Sequence, residues 1–134
     1  MPTYKPLAHG YDVRASQSDL VNMSWTPTRI AADFLVPGEV ACLLRVGFDR
    51  PCIVRRLDEM PLSTEDDGPV TGLVSEHLAY EVDGASFART QSEAWKLACG
   101  PVAHFRFVTG WTCMDVLSAA RPIFRLVRVG TSTS

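Results

Sequence analysis

The sequence predicts an α+β fold. A single domain would carry a mostly antiparallel, curved sheet or partial barrel of about six strands, with one to three short helices packed on one face. Three observations lead there. Thr90 and Glu93 fit the S/T-x-x-E capping box and start a short helix, which Gly100 and Pro101 stop. Directly after that stop, 102–109 alternates with a period of two, setting Ala103, Phe105 and Phe107 against Val102, His104, Arg106 and Val108. Further upstream, 39–48 alternates as well, with Val40, Cys42, Leu44, Val46 and Phe48 on one side and the half-apolar set Ala41, Leu43, Arg45 on the other. A strand apolar on both sides is covered on both sides.

Taken in order, residues 1–15 hold Pro2, Pro6 and Gly10 among scattered Tyr4 and Tyr11, which reads as an irregular arm able to pack along its own domain or a neighbouring subunit. Ser16 or Ser18 can cap a turn carrying Leu20, Val21 and Met23. Thr26-Pro27 reads as the cap and first position of another helix. The alternation Ile30, Ala32, Phe34, Val36 equally permits a strand over 27–36, and Ala31 and Ala32 tip the reading towards helix. After the strand at 39–48, Asp49-Arg50-Pro51 reads as a turn and 52–57 as the returning strand of an antiparallel hairpin.

Residues 58–71, with Pro61, Gly68, Pro69 and the acidic run Glu65-Asp66-Asp67, form a surface loop that lacks the residue order of a calcium loop. Leu78, Tyr80 and Val82 then alternate with His77, Ala79 and Glu81 in a third strand closed by Asp83-Gly84. In the helix, Ala94, Leu97 and Ala98 share a face with Trp95 beside it. Beyond 102–109, the stretch 112–117 is ambiguous between helix and strand and is read as a strand, and 123–129 is the last strand. A polar, mobile tail spans 130–134.

At 134 residues the chain suffices for one domain that buries about two-thirds of its unfolded surface. With 46% hydrophobic and 21% charged residues it is an ordinary globular composition. A net charge of −2 argues against a general nucleic-acid binder, because phosphate binding depends on clustered cations that release counterions. From Gly100 onward four arginines stand against Asp115 alone, but they alternate with apolar residues and read as solvated strand faces. No apolar run is long enough for a membrane helix and no secretion signal opens the chain, so the expectation is a cytoplasmic protein.

Cys42, Cys52, Cys99 and Cys113 show neither C-x-x-C nor paired histidine spacing, so no metal is expected. In the expected hairpin Cys52 would face the region of Gly47 rather than Cys42, too far for a disulfide. No cofactor motif occurs: the P-loop, G-x-G-x-x-G, H-E-x-x-H and G-x-S-x-G patterns are all missing.

The phrase Ser92-Glu93-Ala94-Trp95-Lys96, followed by His104-Phe105-Arg106-Phe107-Val108-Thr109-Gly110-Trp111 and Cys113-Met114-Asp115-Val116-Leu117, resembles small uncharacterised proteins carried on mobile integron gene cassettes. The resemblance is confined to the last third of the chain, and no catalytic motif or residue role comes with it. It implies a bacterial, cytoplasmic protein of orphan fold, in a class that often self-associates and shows small-molecule pockets.

The candidate ligand-binding residues are His77 and Glu81 on one strand face, His104 and Arg106 on the next, and Arg125 on the matching face of the last. Trp95 and Trp111 are further candidates for lining a cleft. If those faces coincide, two imidazoles, a carboxylate and two guanidiniums converge, a set suited to holding an anionic ligand or moving a proton. Arg106 is then expected to hold a carboxylate, from Glu81 or from a ligand. Cys113 and Asp115 lie near His104 in sequence, but a cysteine among Met114, Val116 and Leu117 reads as a small buried apolar residue rather than a nucleophile. The best functional reading is a non-catalytic, homo-oligomeric module for a small organic ligand. The alternatives are a protein-interaction or antitoxin-like factor and, third, a small acid/base enzyme. With one helix and apolar alternation on both strand faces, a dimer or higher assembly is expected to cover what remains.

Overall fold

The computed structural model describes residues 3–11, 13–50, 52–58, 71–85, 87 and 102–128. In chain order the strands are β1 (Thr3–Pro6), β2 (Leu20–Thr26), β3 (Arg29–Leu35), β4 (Cys42–Phe48), β5 (Cys52–Asp58), β6 (Ala79–Asp83), β7 (Ala103–Val108), β8 (Thr112–Ser118) and β9 (Ile123–Arg128). They form a five-stranded sheet, β1-β6-β7-β8-β5, and a four-stranded sheet, β2-β3-β4-β9, antiparallel throughout. The α+β expectation is therefore corrected. None of the elements formed by the described residues is an α-helix, and the strands make two open sheets rather than a partial barrel. The helix expected from Thr90, with Trp95, lies outside the described residues, as do the acidic loop and the tail. No helix among the described residues is long and apolar enough to cross a membrane.

The sheets share one core. Phe34, Leu44, Val46 and Phe48 of the four-stranded sheet meet Ala79, Phe105, Phe107, Met114 and Val116 of the other. Phe48 stands between Phe105 and Phe107, at ring-centroid distances of 5.6 Å and 6.2 Å. Burial of these aromatic and branched side chains is the main stabilising contribution.

The alternating segments from 39 onward yield strands, although β4 begins only at Cys42 and leaves Val40 98% exposed, and other expectations fail for physical reasons. Residues 27–36 are not a helix. Pro27 and Thr28 form a two-residue turn between β2 and β3, with Thr26 paired to Arg29. Proline fixes the same φ for a helix start as for a turn, so Thr26-Pro27 does not distinguish the two. The alternation decides, since Ile30, Ala32 and Phe34 are buried in the core. Near Ser16 the chain makes only a short 3-10 turn, Ala15–Gln17, and Leu20 and Met23 go into β2.

The expected hairpin of β4 with β5 is also replaced. β4 pairs with β3 and β9, whereas β5 crosses to the other sheet and pairs with β8. Asp49-Arg50-Pro51 offers no glycine or asparagine for the left-handed positions that tight hairpins need, and the chain changes sheets there. The arm read as irregular contributes β1, whose Tyr4 is buried and whose backbone N–H bonds Thr71 O at 2.7 Å. At Gly72, φ is +91° and a Cβ would stand 1.9 Å from Tyr4 O, so only glycine lets this segment lie against β1.

Candidate functional site

Alternation gives β7 and β8 a second face, turned away from the shared core, and that face is polar yet buried. On β7 it carries His104 and Arg106, and on β8 Cys113, Asp115 and Leu117, all buried. Register brings them together: Asp115 lies opposite Arg106 on one side and opposite Arg55 of β5 on the other, and Arg106 lies opposite Tyr80 of β6. The β7–β8 turn sets this register. Within it the Thr109 hydroxyl donates to Thr112 O at 2.9 Å and accepts from Thr112 N at 2.8 Å. Gly110 permits the turn to sit against Ser16, since a Cβ there would lie 2.5 Å from Ser16 O.

Asp115 is the centre of the cluster. Its Oδ1 accepts from Arg106 Nε at 2.6 Å and from His104 Nε2 at 2.7 Å. Its Oδ2 accepts from Arg55 Nε at 3.0 Å and Nη2 at 2.7 Å. Arg106 Nη1 also donates to the hydroxyl of Tyr4. Above the row, the Phe87 ring lies 4.2 Å from the Arg55 guanidinium carbon and 5.4 Å from the His104 ring. Burial alone would raise the Asp115 pKa, but hydrogen bonds from His104 and Arg106, with the charge of Arg106, outweigh it and hold the carboxyl at about 2. Burial acts against the Arg106 cation, and Asp115 more than restores it, so that pKa is raised. The Tyr4 phenol is pushed up by burial, with Arg106 pulling the other way.

One consequence concerns tautomers. An ionised Asp115 only accepts, so His104 must present Nε2–H to it, and in the neutral ring the lone pair sits on Nδ1. That Nδ1 is buried and has no hydrogen-bond partner among the described residues. His104 borders a cleft of about 740 Å³ where β6 ends and β7 begins, shared with Thr3, Lys5, Val82, Gly84 and Leu117. The volume lies within the range of about 300–1,000 Å³ typical of small-molecule sites.

Of the residues expected to form a site, only His104 and Arg106 come together in the network. Glu81 is on the core-facing side of β6, opposite Phe105, and pairs with Arg121 at 3.0 Å. His77 precedes β6, its Nε2 2.9 Å from Leu7 O and its ring beside His9 and Tyr80. Arg125 belongs to the other sheet, across from Arg45. Trp111 is 66% exposed, beside Leu73 and Val74 at a separate hollow of about 530 Å³. Trp95 lies outside the described residues.

The sequence reading missed Asp115, Arg55 and Tyr4. Asp115 had a signal: a lone acid between Met114 and Val116, in a strand one short turn away from Arg106. Tyr4 and Arg106 are 102 residues apart, and no local pattern links them. Among the described residues, no three of His, Cys, Asp and Glu converge as metal ligands. Comparison with protein-family models, with curated proteins and with solved structures finds no match to this chain.

Proposed function

We propose that this chain is a binding module for a small organic molecule, seated in the cleft beside His104. The observation that carries the reading is that His104 lines this cleft while its buried Nδ1 has no hydrogen-bond partner among the described residues. A buried acceptor without a donor costs about 1–3 kcal/mol, which a ligand N–H or O–H would recover. Asp115 holds Nε2 and so fixes both the tautomer and the orientation of the ring, as second partners do for ligating histidines. Four N–H donors from three side chains occupy the Asp115 carboxylate, and this supports binding over proton transfer by it. Lys5, Glu81 and Asp83 bring charge of both signs to the rim, which suits a polar ligand.

A thermal-shift screen of small polar molecules tests this, since a ligand of the folded state raises the melting point by mass action. The informative variant is His104→Gln, which keeps an N–H donor for Asp115 and removes the Nδ1 acceptor. Hits should stabilise the native chain and lose their effect in His104→Gln while keeping it in Arg125→Ala. No hit, or hits indifferent to His104→Gln, would overturn the reading.

A second reading, a protein-interaction factor, is favoured by the exposure of Trp25 and Trp111. Tryptophan is enriched among interface hot spots. Such a factor should respond to no small molecule in the same screen.

A further inference from the structure

We propose that the free edge of β2 is a seam for a second copy of this chain, paired antiparallel about Met23. This is independent of the cleft beside His104. β2 lies at the end of the four-stranded sheet, so among the described residues one side of its backbone has no neighbouring strand in that sheet. From Leu20 to Thr26 it contains no charged residue and no proline. Edge strands of proteins that stay monomeric are usually guarded by such residues, because open N–H and C=O groups template further pairing. The opposite edge of the same sheet is guarded: β9 carries Arg125 and Arg128. On β2 the guard is a bulge that leaves Val21 out of the ladder, and from Asn22 to Thr26 the pairing with β3 is regular.

The occupant follows from spacing. Val21 is 47% exposed and Trp25 58% exposed, and they lie two residues either side of the half-buried Met23. When two β2 strands run antiparallel with Met23 opposite Met23, each Trp25 comes opposite Val21 of the other copy. The contact occurs twice, and both exposed side chains are covered. No like charges meet along this seam, whereas β9 paired with itself would set arginines against arginines. The match of exposed positions arises when the strand meets itself, which favours a second copy over a foreign strand. The two four-stranded sheets then become one continuous sheet.

Light scattering at micromolar concentration should give twice the 14.7 kDa chain mass. The double variant Val21→Lys/Trp25→Lys sets lysines opposite each other at both contacts. It should weaken the dimer on the order of a hundredfold or more, since like-charge juxtaposition costs several kcal/mol. Mixing it with Val21→Glu/Trp25→Glu should restore a dimer containing one chain of each. A monomeric native chain, a lysine variant that stays dimeric, or a mixture that does not pair would overturn the proposal. Should a variant not fold, hydrogen exchange of the native chain decides. Amides of residues 20–26 gaining protection as concentration rises support the seam, and amides indifferent to concentration overturn it.

Discussion

Asp33 and Asp115 are built alike and situated differently. Each sits on a strand, faces away from the shared core and takes an arginine from the adjacent strand: Arg45 opposite Asp33, Arg55 and Arg106 opposite Asp115. Arg45 grips Asp33 in two-pronged fashion, Nε to Oδ1 at 2.8 Å and Nη2 to Oδ2 at 3.0 Å, with Asn22 adding a bond at 3.3 Å. The Asp33 hydrogen bond raises the Arg45 pKa. Both aspartates are buried, at 4% and 0% side-chain exposure, and Arg55 at 25% is nearly as exposed as Arg45 at 32%; the difference is Arg106, which is 3% exposed. The same cross-strand pair is a wet latch in one sheet and a dry network in the other. In that network Arg106 and Asp115 depend on the protein for their solvation, so removing Asp115 costs far more than the pair contributes.

That contrast is broken most directly by Asp115→Asn and Asp33→Asn, measured as denaturant midpoints. Asp115→Asn removes the charge that Arg55, Arg106 and His104 all face, and should cost about 3–5 kcal/mol. Asp33→Asn leaves a guanidinium that water can reach, and should cost about 1 kcal/mol or less, with the loss shrinking further in high salt. Equal costs would mean that the two faces are equally wet.

Acid acts on Asp115 through its depressed pKa. The Asp115 carboxyl is held at about 2 in the folded chain, below its ordinary value of 3.8. The folded state therefore binds this proton less readily than the unfolded chain does. Its contribution is fully present above the unfolded pKa and is lost as pH falls through the folded one. The window runs from about pH 4 down to about pH 2, and the shift corresponds to about 2 kcal/mol. Among the described residues, the charged and titratable groups around it are Arg55 from β5, His104 and Arg106 from β7, Cys113 from β8, and Tyr4 from β1, the last in contact with Arg106. In Asp115→Asn this part of the acid limb should flatten, while Asp33→Asn should keep it. A native chain whose stability does not fall across that window would contradict the cluster as described.

How far the sequence reached can be judged from particular residues. Strands β4 to β9 were legible because alternation is local: Phe105 and Phe107 face one way and His104 and Arg106 the other whatever the rest of the chain does. Their distribution between sheets was not local. The absence of glycine in Asp49-Arg50-Pro51 speaks against a tight hairpin, but nothing there states which strand β5 joins, and its crossing to β8 is what delivers Arg55 to Asp115. The α+β reading weighed Ala31 and Ala32 as helix formers, yet Ala32 is buried in the core and burial overrode propensity. Arg106 was expected to hold the carboxylate of Glu81 or of a ligand, and the one it holds belongs to Asp115. Which acid it meets is a matter of register, set by Thr109 and Gly110, and Glu81 is turned by its own alternation to the opposite face of the sheet.

The smallest expected effect separates Arg125 from the network it was expected to join. Arg125 is exposed on β9 and lies directly across from Arg45, so two guanidiniums stand opposite each other on the outer face of the four-stranded sheet. Like charges in such a cross-strand pair are mildly destabilising, and Arg45 is already committed to Asp33. Removing Arg125 takes away that repulsion and strands no buried charge. Arg125→Ala should therefore leave stability within about ±0.5 kcal/mol, on the stabilising side at low ionic strength and converging on the native value as salt screens the pair. Denaturant midpoints at low and high salt measure it. A loss beyond that range would show that Arg125 has a partner whose charge depends on it, and would return it to the functional site.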